Sequence, residues 1–143
     1  AVFRELWPVN KIYRKLGALD KDRGIDVRLE LVSGLTFEIQ EKYRRRRYRR
    51  YWQFTVEYKN NPRTDLPGEF FHLSANYCFY AYANQAEADF TDWWIIDLNK
   101  FKEAYSKGLV RETEKIDNLY RSHASYLAFN WEIMESYLAY RSG

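Results

Sequence analysis

Residues 24–42 read GIDVRLELVSGLTFEIQEK, and the fold turns on how this stretch pairs with itself. Apolar and polar residues alternate from Ile25 to Leu31 and again from Thr36 to about Tyr43, the period of a strand. Val27, Leu29, Leu31, Phe37 and Ile39 therefore share one face, while Asp26, Glu38, Gln40 and Lys42 share the other. Between the strands Ser33-Gly34-Leu35 reads as the turn, with Gly34 supplying the permissive backbone of a short hairpin. Pairing Val32 with Thr36 sets Asp26 opposite Lys42, Arg28 opposite Gln40 and Glu30 opposite Glu38, six polar side chains on one side. A two-residue loop would mix apolar and charged residues on both faces, so the three-residue loop is expected.

Outward from the hairpin the period changes. Phe3, Leu6, Trp7, Ile12, Tyr13 and Leu16 recur at roughly helical spacing and stop before Gly17, which predicts a helix over about 8–17 with Pro8 limiting its N-terminal reach. Trp52, Phe54, Val56 and Tyr58 alternate with Gln53, Thr55, Glu57 and Lys59, a third strand. The segment NNPRTDLPGE is a loop, and LSANYCFYAYAN and DWWIIDL read as buried strands. Trp93 and Trp94 cannot share one strand face, and packing against a helix is the expected use of the pair. Asp97 is placed to cap a helix LNKFKEAYSK that stops at Gly108. SYLAFN is a short strand, and Asn130 is placed to cap a last helix, WEIMESYLAY. The order α, β, β, β, β, β, α, β, α predicts an α/β single domain over residues 1–143, a mixed central sheet with an antiparallel hairpin meander flanked by helices.

The 143 residues suffice for one domain with a substantial core. Nine Phe, five Trp and thirteen Tyr place the charged fraction on a foldable chain whose packing is dominated by aromatics. The lone Cys78 excludes an internal disulfide and a cysteine-based zinc site, and reads as a buried small hydrophobe. His72 and His123 stand in no metal-ligand spacing. No apolar run is long enough to span a membrane and AVFRELWP lacks a signal-peptide pattern, so the expectation is no membrane and a cytoplasmic protein, prokaryotic or phage-encoded.

Net charge is only +3, but its distribution is uneven. Residues 41–52, EKYRRRRYRRYW, carry Lys42 and six arginines against Glu41. A polyanion such as DNA would feel that patch. Arg44, Arg45, Arg46, Arg47, Arg49 and Arg50, interleaved with Tyr43, Tyr48 and Tyr51, are candidates to hold phosphates and stack on unpaired bases. A solvated extension guarding an edge strand would use the same residues.

The polar hairpin face has the parts for metal-assisted phosphodiester hydrolysis. Asp26 and Gln40 offer oxygen donors suited to Mg²⁺ (or Mn²⁺), and Lys42, two residues after Gln40 on the same side, offers an ammonium to orient the attacking water or neutralise the phosphate. With the leading helix bearing Glu5, GID at 24–26 and QEK at 40–42 inside FEIQEKYR, the chain resembles the PD-(D/E)xK nuclease superfamily. That family's core is a helix and a three-strand meander with the acid on the second strand and acid-x-lysine on the third. The order Glu5, Asp26, Gln40, Lys42 is similar to that of archaeal Holliday junction resolvases and of the end-cleaving subunit of some bacterial transposons, where glutamine also takes the second acid position. Two departures are plain: no proline precedes Asp26, and glutamine replaces a carboxylate. Glu38 would supply a second carboxylate in the E-x-Q arrangement of some restriction enzymes of the superfamily.

The resemblance implies a restriction-endonuclease-like core and a Mg²⁺-dependent DNA nuclease, with Asp26, Gln40 and Glu38 on the metal, Lys42 on the water or phosphate, and Glu5 completing the site. Resolution and restriction use paired sites, which implies a homodimer. Glu57-Tyr58-Lys59 is a second E-x-K candidate, on the following strand. The rival readings are a non-catalytic nucleic-acid-binding module of the same fold and a structural or assembly protein.

Overall fold

The computed structural model describes residues 2–14, 25–59, 75–86, 89–117 and 125–142, so the histidines and the loop NNPRTDLPGE lie outside the described residues. Phe3 and its neighbours wind one short helix, α1 (Val2–Leu6). Pro8 follows, and the chain leaves extended as β1 (Val9–Arg14), where a helix over 8–17 was expected. The reason is local and then tertiary: proline breaks the helical ladder, and the Val9–Arg14 backbone finds its partner in the next strand, β2 (Val27–Leu31).

β2 and β3 (Thr36–Arg44) form the expected antiparallel hairpin, but slipped by two residues: Arg28 lies opposite Glu38 and Glu30 opposite Thr36. Gly34 explains the slip. Its φ of 92° is the left-handed position that closes a three-residue loop, so the loop is Val32-Ser33-Gly34 and ends at glycine. Leu31 N–H donates to Leu35 O at 2.8 Å and Gly34 N–H to Leu31 O at 2.9 Å. A slip of two leaves every side chain on its expected face.

Beyond β3 the arginine run winds into a 3₁₀ helix, Arg46–Tyr51, which ends at Trp52 with φ of 51°. This turn carries β4 (Gln53–Lys59) out of the first sheet, so the strand expected next to β3 pairs elsewhere. Its place is taken by β5 (Tyr77–Ala83), parallel to β3, with Gln40 beside Cys78, Lys42 beside Tyr80 and Arg44 beside Tyr82. β6 (Phe90–Asp97) runs antiparallel to β5 and leads into α2 (Leu98–Ser106), whose N-cap is Asp97, accepting from Lys100 N–H at 3.1 Å. The polar stretch after α2 contributes β7 (Glu114–Asp117), which pairs with β8 (Ser125–Asn130). The expected last helix is one turn only, α3 (Trp131–Met134), then a 3₁₀ turn and β9 (Leu138–Arg141) on the edge of β6. The Asn130 side chain makes no cap there; its Oδ1 accepts from Gln53 Nε2 at 3.3 Å.

The result is an α/β fold with a mixed six-stranded sheet, β1-β2-β3-β5-β6-β9, a three-stranded sheet, β4-β8-β7, and few helices. One face of the large sheet buries Val27, Leu29, Ile39, Phe79, Ala81 and Ile95 under Phe3 of α1. The other packs Cys78, Tyr80, Tyr82, Trp94 and Ile96 against Phe101 of α2 and Phe54, Val56 and Phe129 of the small sheet. Of the tryptophan pair, Trp94 goes inward and stacks on Trp131 with centroids 3.8 Å apart, while Trp93 packs on the α1 side. Cys78 is fully buried. No helix among the described residues is long and apolar enough to cross a membrane.

Candidate active site

Asp26 sits one residue before β2, and its N–H donates to Ile39 O at 2.9 Å. The ladder pairs Val27 with Ile39 and ends there, so Asp26 stands at its end, beside the Ile39–Glu41 stretch of β3. Asp26 Oδ2 accepts the Glu41 N–H at 2.7 Å, at the point where β2 has ended and β3 runs on toward β5. The carboxylate therefore satisfies a strand amide of β3.

Gln40 is the one polar residue among the described residues to be buried, at 3% exposure. Lys42 follows on the same face and is half-buried. Glu38 precedes Gln40 on that face and is drawn toward Arg28, Oε1 to Nη2 3.6 Å; its N–H donates to Asn76 Oδ1 at 2.8 Å. The hairpin thus sets Glu38, Gln40 and Lys42 along one side of β3 and holds Asp26 by the Glu41 N–H of the same strand, where the sequence register paired it with Lys42.

Glu5 is not brought to them. It is exposed on α1, whose Phe3 packs edge-on against Phe79 at 5.6 Å, the opposite side of the sheet from Gln40 and Cys78. Glu57 belongs to β4 in the other sheet, and the side chain of Lys59 lies outside what is described.

Among the described residues no three His, Cys, Asp or Glu side chains converge as a metal site would require. The donors on this face are instead carboxylate, amide and ammonium. Two hard oxygen donors fit Mg²⁺, which commonly holds one or two protein carboxylates and keeps several waters, better than they fit a cation needing a full protein cage.

The six arginines divide. Arg45, Arg46, Arg47 and Arg50 are exposed on or beside the 3₁₀ helix. Arg47 and Arg50 each lie over the ring of the next tyrosine and donate to its hydroxyl, at 2.9 Å for Tyr48 and 2.8 Å for Tyr51. Arg49 is held by Asp92 at 2.7 Å and lies over Trp52, a structural pairing across to β6. Arg44 continues the Gln40, Lys42 side of β3 and turns inward over Tyr48, its Nε buried. Strand parity alone would have separated Arg44 from the surface run, because it falls two residues after Lys42.

On the other side of β3, Glu41 pairs with Arg14 at 2.6 Å and accepts from the Tyr43 hydroxyl at 2.7 Å. Burial, then that hydrogen bond, hold the Tyr43 phenol well above its usual range, so it stays protonated. Tyr43 packs on Phe79 and is thereby placed away from the arginine surface.

No family model, curated protein or solved structure matches this chain.

Proposed function

We propose that this chain is a metal-dependent DNA nuclease with a restriction-endonuclease-like core. The observation that carries the reading is positional. Asp26 stands one residue before the second strand of an antiparallel β1–β2–β3 meander, its carboxylate hydrogen-bonded to the N–H of Glu41 on the third, the residue between Gln40 and Lys42. A leading helix followed by that meander, with the acid on the second strand and the x-lysine motif on the third, is the arrangement the resemblance implies. Assignment of residues 9–14 to a strand strengthens it, because it makes the strand after Asp26 the second and not the first.

In this reading Asp26 and the Gln40 amide oxygen would hold Mg²⁺ or Mn²⁺, with Glu38, two residues before Gln40 on the same side, as a further carboxylate. The ion, when bound, stabilises negative charge developing on the scissile phosphate. The Glu41 N–H fixes the Asp26 carboxylate in orientation, a preorganisation that a metal ligand requires. Lys42, half-buried beside Tyr80, orients the attacking water or neutralises a phosphate oxygen. Arg45, Arg46, Arg47 and Arg50 supply sequence-independent phosphate contacts. A homodimer would provide a second site for double-strand or junction cleavage.

The test is cleavage of plasmid and single-stranded DNA with Mg²⁺, with Mn²⁺ and with EDTA. Wild type should cleave only with a divalent ion, and Asp26→Asn and Lys42→Ala should each lose at least 100-fold in rate yet keep DNA binding. One observation favours a second reading, a binding module without catalysis: the Asp26 carboxylate already has a structural duty, and no third acid joins it among the described residues. That reading gains if DNA binds with and without metal and is never cut.

A further inference from the structure

Where β4, β7 and β8 of the small sheet come near β3, β5 and the 3₁₀ helix, a cavity of about 550 Å³ opens, within the range of about 300–1,000 Å³ typical of small-molecule sites. Its walls are tyrosines: Tyr48 and Tyr51 from the 3₁₀ helix, Tyr80 and Tyr82 from β5, Tyr126 from β8. Arg44 lies among them. Its guanidinium stacks on Tyr48 at 4.4 Å, no carboxylate pairs with it among the described residues, and its Nε is buried without a hydrogen-bond partner. A buried cationic donor left unmatched in a folded protein calls for an explanation, and an anionic ligand supplies one.

Tyr82 donates to Gln53 O at 2.8 Å and accepts from Gln53 N–H at 3.3 Å, so it is fully used in fastening β4. The Tyr80 hydroxyl is held by Thr55, 3.2 Å from its Oγ1, so it too fastens β4. Burial holds both phenols in their neutral form, Tyr82 pushed up to about 12. Among the described residues the lining therefore combines one cation, Arg44, five tyrosines and one carboxylate, Glu114. Arg47 and Arg50, bonded to the hydroxyls of Tyr48 and Tyr51, make the approach basic.

We propose that this cavity holds one unpaired nucleotide, its phosphate on Arg44 and its base against the tyrosine walls. Aromatic faces accept any base, and a planar guanidinium binds phosphate through paired donors. Arg44 follows Lys42 by two residues, about 6.6 Å along β3, a spacing on the order of one step of an extended single strand. The source of the nucleotide rests on the nuclease reading, and the site makes the strand being cut a single or locally unpaired one.

The experiment is calorimetric titration of the whole chain in EDTA with dTMP or dAMP, the matching nucleosides, and inorganic phosphate. The nucleotides should bind at least tenfold more tightly than either fragment. Arg44→Gln should remove that advantage while leaving nucleoside affinity unchanged. Glu114→Gln, which keeps a hydrogen-bond acceptor for Gln53, should tighten nucleotide binding, a gain no folding defect can produce. Ile116→Trp, at a half-exposed wall position, should block all three probes. Equal affinity for nucleotide and nucleoside, equal affinity for nucleotide and phosphate, unaltered binding by Arg44→Gln, or no binding at millimolar nucleotide would each overturn the proposal. Asp26→Asn should bind nucleotide as wild type does. Nucleotide binding without cleavage by wild type sinks the nuclease and keeps this site; cleavage without nucleotide binding does the reverse.

Discussion

Asp26 has two roles that ordinary alanine scanning would confuse. Its carboxylate accepts a half-buried strand amide, and an orphaned amide there costs about 1–3 kcal/mol. Asparagine keeps an oxygen in the same place and removes only the charge. Asp26→Ala should therefore lower stability to urea by about 1–3 kcal/mol, whereas Asp26→Asn should stay within about 1 kcal/mol of wild type. Equal stability of the two variants would show that the Glu41 bond contributes nothing. Gly34 is the other residue whose backbone decides a neighbourhood. A β-carbon there meets open space, so Gly34→Ala carries only the strain of φ 92°, about 1 kcal/mol in the same assay. A larger loss would mean that the hairpin register itself had moved, taking Asp26 away from Glu41.

At the scale of elements, the arginine run is a surface only in part. Arg44 lines the cavity and Arg49 is held by Asp92, which leaves Arg45, Arg46, Arg47 and Arg50 as the exposed arginines that the proposed phosphate contacts would use. Changing Arg45, Arg46 and Arg47 together to alanine should weaken DNA binding and flatten the salt dependence of log K by about 2 for single strands, measured by titration at several salt concentrations. An unchanged slope would assign the run to solubility. Elements were legible in sequence where one physical signal ruled. The hairpin faces followed from strict alternation at Val27 to Leu31 and Thr36 to Tyr43, and the cap at Asp97 from a short acceptor before an apolar period. What escaped was set by distant partners. Val9–Arg14 has a mixed pattern that pairing with β2 resolves into a strand, and WEIMESYLAY is split because Leu138–Arg141 finds the open edge of β6. The switch of β4 to another sheet depends on the left-handed Trp52, whose ring is held by Tyr82 and Trp94; no local rule puts a bulky residue there. Of the candidate site, the shared side of Gln40 and Lys42 was readable from parity, but the side of the sheet taken by α1, and so the exclusion of Glu5, was not.

Across the whole molecule, two sheets meet through tyrosine hydroxyls. Tyr80 and Tyr82 bridge β5 to β4, and burial holds both phenols above their usual range, as it does Tyr43. The unfolded chain releases these protons near the ordinary tyrosine value of about 10 while the fold keeps them. Stability from this source is thus complete below about pH 10 and is lost as pH rises toward about 12 for Tyr82. Urea unfolding at pH 9, 10 and 11 should show a plateau and then a decline of up to about 1.4 kcal/mol per pH unit per tyrosine. A flat profile through pH 11 would mean the phenols ionise freely in the fold.

The large sheet also sets the geometry of the proposed site, since β3 carries Gln40, Lys42 and Arg44 in succession along one side, Arg44 reaching the tyrosine-lined cavity. Anomalous diffraction from crystals soaked in Mn²⁺ tests that geometry most directly. The account predicts a peak in contact with the Asp26 carboxylate and the Gln40 amide oxygen, absent in Asp26→Asn; no peak there in the wild type, or one held by other residues, would contradict it.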